Sequence, residues 1–301
     1  MKDKNQSIQV LISRAESYFQ RGCYKNAETH FKRALAKIEA ANKPCLLEAA
    51  DLYNSLGVVY KYMARFDEAE KAYQRALALY EEELAPDQIE FATIYHNLGG
   101  LAHSCGQYIE GEPLARRAVS IRKKALGSAH PAFAADLAAL AALLDGQGRY
   151  DEAESLYYQA MSIFEQAYGP VHYEIAVNLN NLAAIAYQRG EIDRSEQLYT
   201  RALAIKEELL GQRHPDVAMT LNNLAVLYKR KGNYRHAEDL IRRAIAIFEG
   251  TFGQKHPYLA ACRSNYALLL QLMKREKQAC QLETRVENIN RAEKIRKAAV
   301  I

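Results

Sequence analysis

The chain has 301 residues, 49% hydrophobic and 25% charged, with seven prolines, fifteen glycines and no tryptophan. That balance fits a well-cored chain and excludes a disordered one. A formal charge of +4 is too small for a nucleic-acid surface, which needs a concentrated basic face.

Helix pairs follow one another in chain order at a constant spacing of 42 residues, without insertion or deletion. The first, 8–43, carries "YKNAE" at 24, and the second, 44–85, carries "FDEAE" at 66. The third, 86–127, has "YIEGE" at 108, and the fourth, 128–169, has "YDEAE" at 150. The fifth, 170–211, has "IDRSE" at 192, and the sixth, 212–253, has "YRHAE" at 234. The seventh, 254–285, keeps a degraded "EKQAC" at 276, with Lys274, Glu276 and Glu283 replacing landmark residues. The tail, 286–301, reads as a polar capping helix. Its basic cluster (Arg291, Lys294, Arg296, Lys297) is read as a solvated face.

Other columns keep the register. A small residue precedes the aromatic by two positions at Gly22, Ala64, Gly106, Gly148, Gly190 and Gly232. A leucine recurs at Leu56, Leu98, Leu140, Leu182 and Leu224, followed each time by glycine or alanine. In the sixth unit Leu221, Leu224, Ala225 and Tyr228 follow i, i+3, i+4, i+7 spacing, an amphipathic helix. Gly232 breaks that helix, and a second runs through "AEDLIRRAIAIFEG" with Ala237, Ile241, Ala244 and Ile245 on one face. Small residues at Ala225 and Ala237 let the two approach closely. Gly127, Gly169, Gly211 and Gly253 are expected to cap second helices, and Pro131, Pro215 and Pro257 to stand near the start of the next helix.

These small–aromatic–Ala landmarks resemble the tetratricopeptide repeat. The 42-residue period, "LNNLAVLY", "RALAIKEELLGQRHPDVA" and the recurrent "HP" make the chain similar to the kinesin-light-chain subtype over residues 8–285. The resemblance implies an all-α, right-handed superhelical solenoid of seven helix–turn–helix repeats, one domain over 1–301, with a peptide-binding concave groove. The heptad coiled coil by which kinesin light chains bind their motor has no counterpart in this sequence, so a motor-adaptor role is not carried over. A helix pair cannot bury its apolar face alone, so neighbours supply the core.

With about 100° per residue on a wheel, the apolar arc of the sixth first helix holds Leu221, Leu224, Ala225, Leu227 and Tyr228. The remaining arc holds Asn222, Val226, Lys229 and Arg230, and Asn223 falls on its border, at the seam with the neighbouring repeat. The resemblance makes that arc the groove lining. The Asn222 column reads Asn54, His96, Ala138, Asn180, Asn222, Ser264; the Lys229 column reads Lys61, His103, Asp145, Tyr187, Lys229, Gln271. Repeat four offers Ala138 and Ala142 as an apolar floor. Amides one repeat apart can donate to and accept from a peptide backbone, Lys229 and Arg230 favour acidic groups, and the alanine floor suits an apolar anchor. The expected partner is another protein presenting an extended or helical segment, partly acidic with an apolar anchor. Candidate groove residues are Asn54, Lys61, His96, His103, Asn180, Tyr187, Asn222, Val226, Lys229 and Arg230. Asn223, with Asn97, Asn181 and Asn265, is expected to be structural.

The asparagine of a carboxylate-clamp variant would stand where this chain has Val58, Gly100, Ala142, Ala184, Val226 and Leu268, so that clamp is absent. His130, His172, His214 and His256 recur one per repeat, too far apart to share a metal ion, and are assigned to the inter-repeat turn. His96 and His103 stand at i, i+7, not the i, i+4 of helical zinc pairs. The recurrent Arg33, Arg75, Arg117, Arg201 and Arg243 are read as partners of nearby carboxylates. No catalytic residue, metal or cofactor is expected.

No stretch approaches the roughly 20 apolar residues of a membrane span, and "MKDKNQSIQVLISRAE" lacks a leader's apolar run. The five scattered cysteines form no CxxC pair, which fits a reduced, cytoplasmic location. The sequence therefore reads as a non-catalytic scaffold or adaptor. The alternative is a regulatory or sensor subunit controlling an enzyme or signalling protein on a separate chain, and self-association is left open.

Overall fold

The computed structural model describes residues 2–41, 44–252, 257–284 and 286–287. Gly253, His256, most of the tail 286–301 and the side chain of Pro257 lie outside the described set. Among the described residues the chain is all α-helix: α1 (Lys2–Gln20), α2 (Tyr24–Glu39), α3 (Leu46–Tyr62), α4 (Phe66–Glu83), α5 (Ile89–Ser104), α6 (Tyr108–Leu126), α7 (Pro131–Gly146), α8 (Tyr150–Tyr168), α9 (Tyr173–Gln188), α10 (Ile192–Leu210), α11 (Pro215–Arg230), α12 (Tyr234–Phe252) and α13 (Pro257–Leu272). Residues 276–284 are also helical. The helix–turn–helix repeats expected from the period are present, with odd-numbered helices first in each pair. None of these helices is long and apolar enough to cross a membrane.

The chain forms two compact units, Met1–Ile163 and Phe164–Ile301. In the first, α1 packs on α2, α3 on α4 and α5 on α6, and α2, α4 and α6 each pack on the next first helix. Its core runs from Ile8 through Phe31, Leu56, Tyr73 and Phe91 to Ile121. In the second unit α9 packs on α10 and α11 on α12, around Val217, Leu221, Ile241 and Phe248. Consecutive first helices also touch directly, α3 with α5 and α5 with α7 in one unit, α9 with α11 and α11 with α13 in the other. They stand side by side on one face of each stack.

Two backbone devices set the repeat. The turn after a first helix is a Schellman motif. In the sixth repeat Gly232 N–H donates to Lys229 C=O (3.1 Å) and Asn233 N–H to Tyr228 C=O (3.0 Å), which requires a left-handed residue, and Gly232 has φ +77°. Ala64 and Lys274 hold the same position at φ +54° and +59°, where a Cβ is strained. The small residue of the first helix serves close approach: a Cβ on Gly57 would lie 2.4 Å from the ring of buried Tyr73. In the fifth repeat Ser195 replaces the usual alanine of the second helix and, fully buried, donates to Ala183 C=O at 2.8 Å.

The histidines of the inter-repeat turn are N-caps. His130, His172 and His214 each receive, at Nδ1, the N–H two residues on: Ala132 at 3.1 Å, Glu174 at 3.3 Å and Asp216 at 3.2 Å. The "HP" of the sequence is thus an acceptor followed by a proline at a position with no N–H to satisfy. Gly127, Gly169 and Gly211 follow second helices at φ +83°, +82° and +79°, as expected of caps.

Candidate functional site

The first helices place the groove columns on one face. In the first unit a three-by-three array forms: Asn54, Val58 and Lys61 on α3; His96, Gly100 and His103 on α5; Ala138, Ala142 and Asp145 on α7. All are partly or fully exposed, whereas Leu56, Leu98 and Leu140 on the same helices are buried. The second unit, by itself, places Asn180, Ala184 and Tyr187 on α9 beside Asn222, Val226 and Lys229 on α11. The wheel therefore separates lining from core as the amphipathic pattern requires.

The asparagine pair splits into two jobs that are physically coupled. Asn97 donates Nδ2 to Asn54 Oδ1 at 2.7 Å, Asn265 to Asn222 at 3.1 Å, and Asn223 to Asn180 at 3.4 Å. Asn97, Asn223 and Asn265 thus each take the carbonyl of the groove asparagine one repeat earlier, whereas Asn181 has Ala138 in that place. A groove asparagine therefore keeps its amide N–H groups while its oxygen is already engaged. One accepted bond still leaves such an oxygen a second lone pair, so these amides keep N–H donors and part of their acceptor capacity.

Beneath this ladder lies a polar relay that the sequence reading missed. In the first unit Asp136, 1% exposed, receives Arg122 Nε at 2.6 Å and His96 Nδ1 at 2.8 Å. A carboxylate only accepts, so His96 donates from Nδ1. Two repeats on, the same three positions hold Lys206, Thr220 and Asn180: Lys206 Nζ lies 3.1 Å from Thr220 Oγ1, itself 3.3 Å from Asn180 Oδ1. Burial pushes the Lys206 ammonium below its ordinary value. In α6 and α10 a cation so fixes a groove residue of its own repeat through a side chain of the next one, Asp136 or Thr220. The only signal was a charged residue where other repeats have Ile38, Tyr80 or Phe248.

The recurrent glutamate of "KNAE", "EGE", "RSE" and "HAE" is a second missed column. It accepts from a cation near the next turn: Glu28 from Arg65 (2.7 Å), Glu112 from Arg149 (2.8 Å), Glu196 from Lys231 (2.5 Å) and Glu238 from Arg275 (2.7 Å). Lys231 and the Tyr228 hydroxyl hold the Glu196 carboxyl below its usual range. Of the arginine column, Arg201 and Arg243 pair with Glu165 and Glu207 at 3.1 and 2.5 Å, and Arg117 lies 4.7 Å over the Tyr95 ring.

The remaining groove cations differ in availability. Arg230 stacks 4.9 Å over Tyr187 and donates Nη1 to its backbone carbonyl at 2.9 Å, so these two are spent on one another in part. Lys61 and Asp145 have no ion-pair partner among the described residues and are half-buried. Burial depresses the Lys61 ammonium, pushes the Asp145 carboxyl up to about 6, and with the Lys61 charge holds the His103 imidazole below its ordinary value. None of the five cysteines forms a disulfide, and among the described residues no three histidines, cysteines or carboxylates are grouped to hold a metal.

The tetratricopeptide repeat model matches residues 6–82, 90–166, 134–208, 173–250 and 216–292. Among solved structures, the nearly identical TPR-like repeats assigned to a kinesin light chain of Podosopora anserina share 25% identity over 66% of this chain and 94% of theirs, TM-score 0.53. BtubC (BKLC) from P. vanneervenii shares 23% over 84% of this chain and 94% of its own, TM-score 0.55. The apo form of RapI, at 13% identity, shares the fold over 96% and 99% of the two chains, TM-score 0.69. Comparison with curated proteins finds no match. The chain is a tetratricopeptide repeat protein, with repeats of the kinesin-light-chain-like type.

Proposed function

We propose that the chain is a protein-interaction scaffold whose first-helix faces dock extended segments of partner proteins, with no catalytic step of its own. The observation that carries this is the array within each unit: partly exposed amides, small apolar residues and charges at a 42-residue period, on first helices that touch their neighbours in that unit. Outward N–H donors suit the carbonyls of an extended backbone, and the Ala138/Ala142 floor leaves room for an apolar side chain. The fold is one used by protein-interaction scaffolds; a Rap protein of this fold, 16% identical, was crystallised with Competence and Sporulation Factor.

The test is selection of displayed random dodecapeptides on the intact protein, followed by affinity measurement on an Ala142→Arg variant. A guanidinium laid across the apolar floor should weaken enriched peptides at least tenfold while far-UV circular dichroism is retained. Enriched peptides that bind the variant as well as the parent would refute the docking face.

A further inference from the structure

The first unit places a cation and a carboxylate, neither with a partner among the described residues, at the two ends of one groove column. Lys61 on α3 and Asp145 on α7 are two repeats apart, with His103 on α5 between them. Lys61 is free to lean over α5 because Gly100 stands beneath it: a Cβ there would lie 3.3 Å from Nζ. The amine is thereby brought towards His103, one turn further along α5. Asp145 sits half-buried at the end of α7, next to Gly146, against which the Tyr108 ring packs too closely to admit a Cβ. Most charged groups of the repeat turns are paired, as the glutamate column shows; these two are not. A partly desolvated charge without a counter-charge is costly, so each end stands ready for a ligand charge of opposite sign.

We propose that this column reads an extended peptide segment of a partner protein by charge order, an acidic residue docking at Lys61 and His103 and a basic residue at Asp145. Neighbouring helices lie about 8–10 Å apart, so the two ends are roughly 20 Å apart, the reach of about six extended residues. Between them Ala138 and Ala142 accommodate an apolar side chain. The ligand is thus acidic–apolar–basic rather than simply acidic. His103 serves as a neutral hydrogen-bond donor beside the amine. Burial and the neighbouring Lys61 charge both disfavour its protonation.

The proposal rests on the docking reading above and is separable from it. The probes are two fluorescein-labelled dodecapeptides carrying glutamate, central leucine and lysine in opposite orders, six residues from charge to charge, and a third with glutamines at both charged positions. Fluorescence anisotropy with the parent protein should show one order binding about tenfold more tightly than the other and than the glutamine peptide, about 1.4 kcal/mol. In the double variant Lys61→Glu/Asp145→Lys the preferred order should invert, with melting temperature and circular dichroism reporting that the fold persists. Equal affinity for both orders, or a preference that the exchange leaves in place, would overturn the charge reading. Binding of the leucine peptides that survives Ala142→Arg would instead overturn the docking face itself, so the two failures are told apart.

Discussion

Asn265 donates its side-chain amide to the side-chain carbonyl of Asn222, 3.1 Å away and 43 residues earlier in the chain. One bond thus joins the seam of the seventh repeat to the groove face of the sixth, so stability and recognition share an atom at Asn222. Asn222→Ala leaves a half-buried donor without its acceptor and should lower stability by about 1 kcal/mol. Asn222→Asp keeps an oxygen for Asn265 and replaces the outward N–H groups with a charged, acceptor-only carboxylate oxygen. The aspartate variant should melt near the parent temperature yet lose affinity for any peptide that uses this amide. Equal melting losses in both variants would show that the ladder bond is not what Asn222 contributes.

The capping histidines make a separate prediction. His214→Ala removes the acceptor for Asp216 N–H and should cost about 1 kcal/mol, whereas His214→Asn or His214→Asp should restore most of it. Urea denaturation of the three variants decides the point; an alanine variant as stable as the parent would remove the cap from the account.

Ala64 holds a left-handed turn, φ +54°, that glycine holds in five of the repeats. Ala64→Gly relieves the Cβ strain and should raise stability by up to about 1 kcal/mol, less the entropy glycine regains in the unfolded chain. The opposite substitution at Gly57 puts a Cβ 2.4 Å from the Tyr73 ring and should cost about 1–3 kcal/mol. Thermal melts of both variants should move in opposite directions.

Asp145 links stability to pH. Its carboxyl is pushed up to about 6 by burial, above the ordinary value near 4, so the folded chain holds this proton more tightly than the unfolded one. Its contribution is therefore most favourable below about pH 4 and is lost as pH rises from there to about 6. Asp145→Asn should gain in melting temperature over the parent across that window and hold the gain at higher pH. A constant difference between the two from pH 4 to 7 would contradict the linkage.

The fold was legible because period and landmark residues are local signals. Glycine before the aromatic marks a turn, and leucine with a small neighbour marks a close crossing. The buried and exposed faces of the first helices were legible for the same reason, since a wheel separates buried Leu221 and Leu224 from partly exposed Asn222. What stayed hidden was everything joining one repeat to the next. That Asn223 reaches Asn180, that Arg122 and His96 converge on Asp136, and that Arg230 lies over Tyr187 depends on stacking geometry that a single repeat does not encode. The glutamate column was visible in the first six quoted motifs, but where its partner is seen that partner stands 35 to 37 residues onward. The availability of a groove charge, rather than its position, is what the sequence could not supply.

The central claim, that partners dock on the first-helix faces, is tested most directly by amide hydrogen exchange of the intact protein with and without a display-selected peptide at saturation. Added protection should concentrate in first helices, in α5 and α7 or in α9 and α11, and leave the second helices α4, α6, α10 and α12 close to their free rates. Protection confined to the second helices would place the binding surface on the opposite side of the repeats and contradict the account.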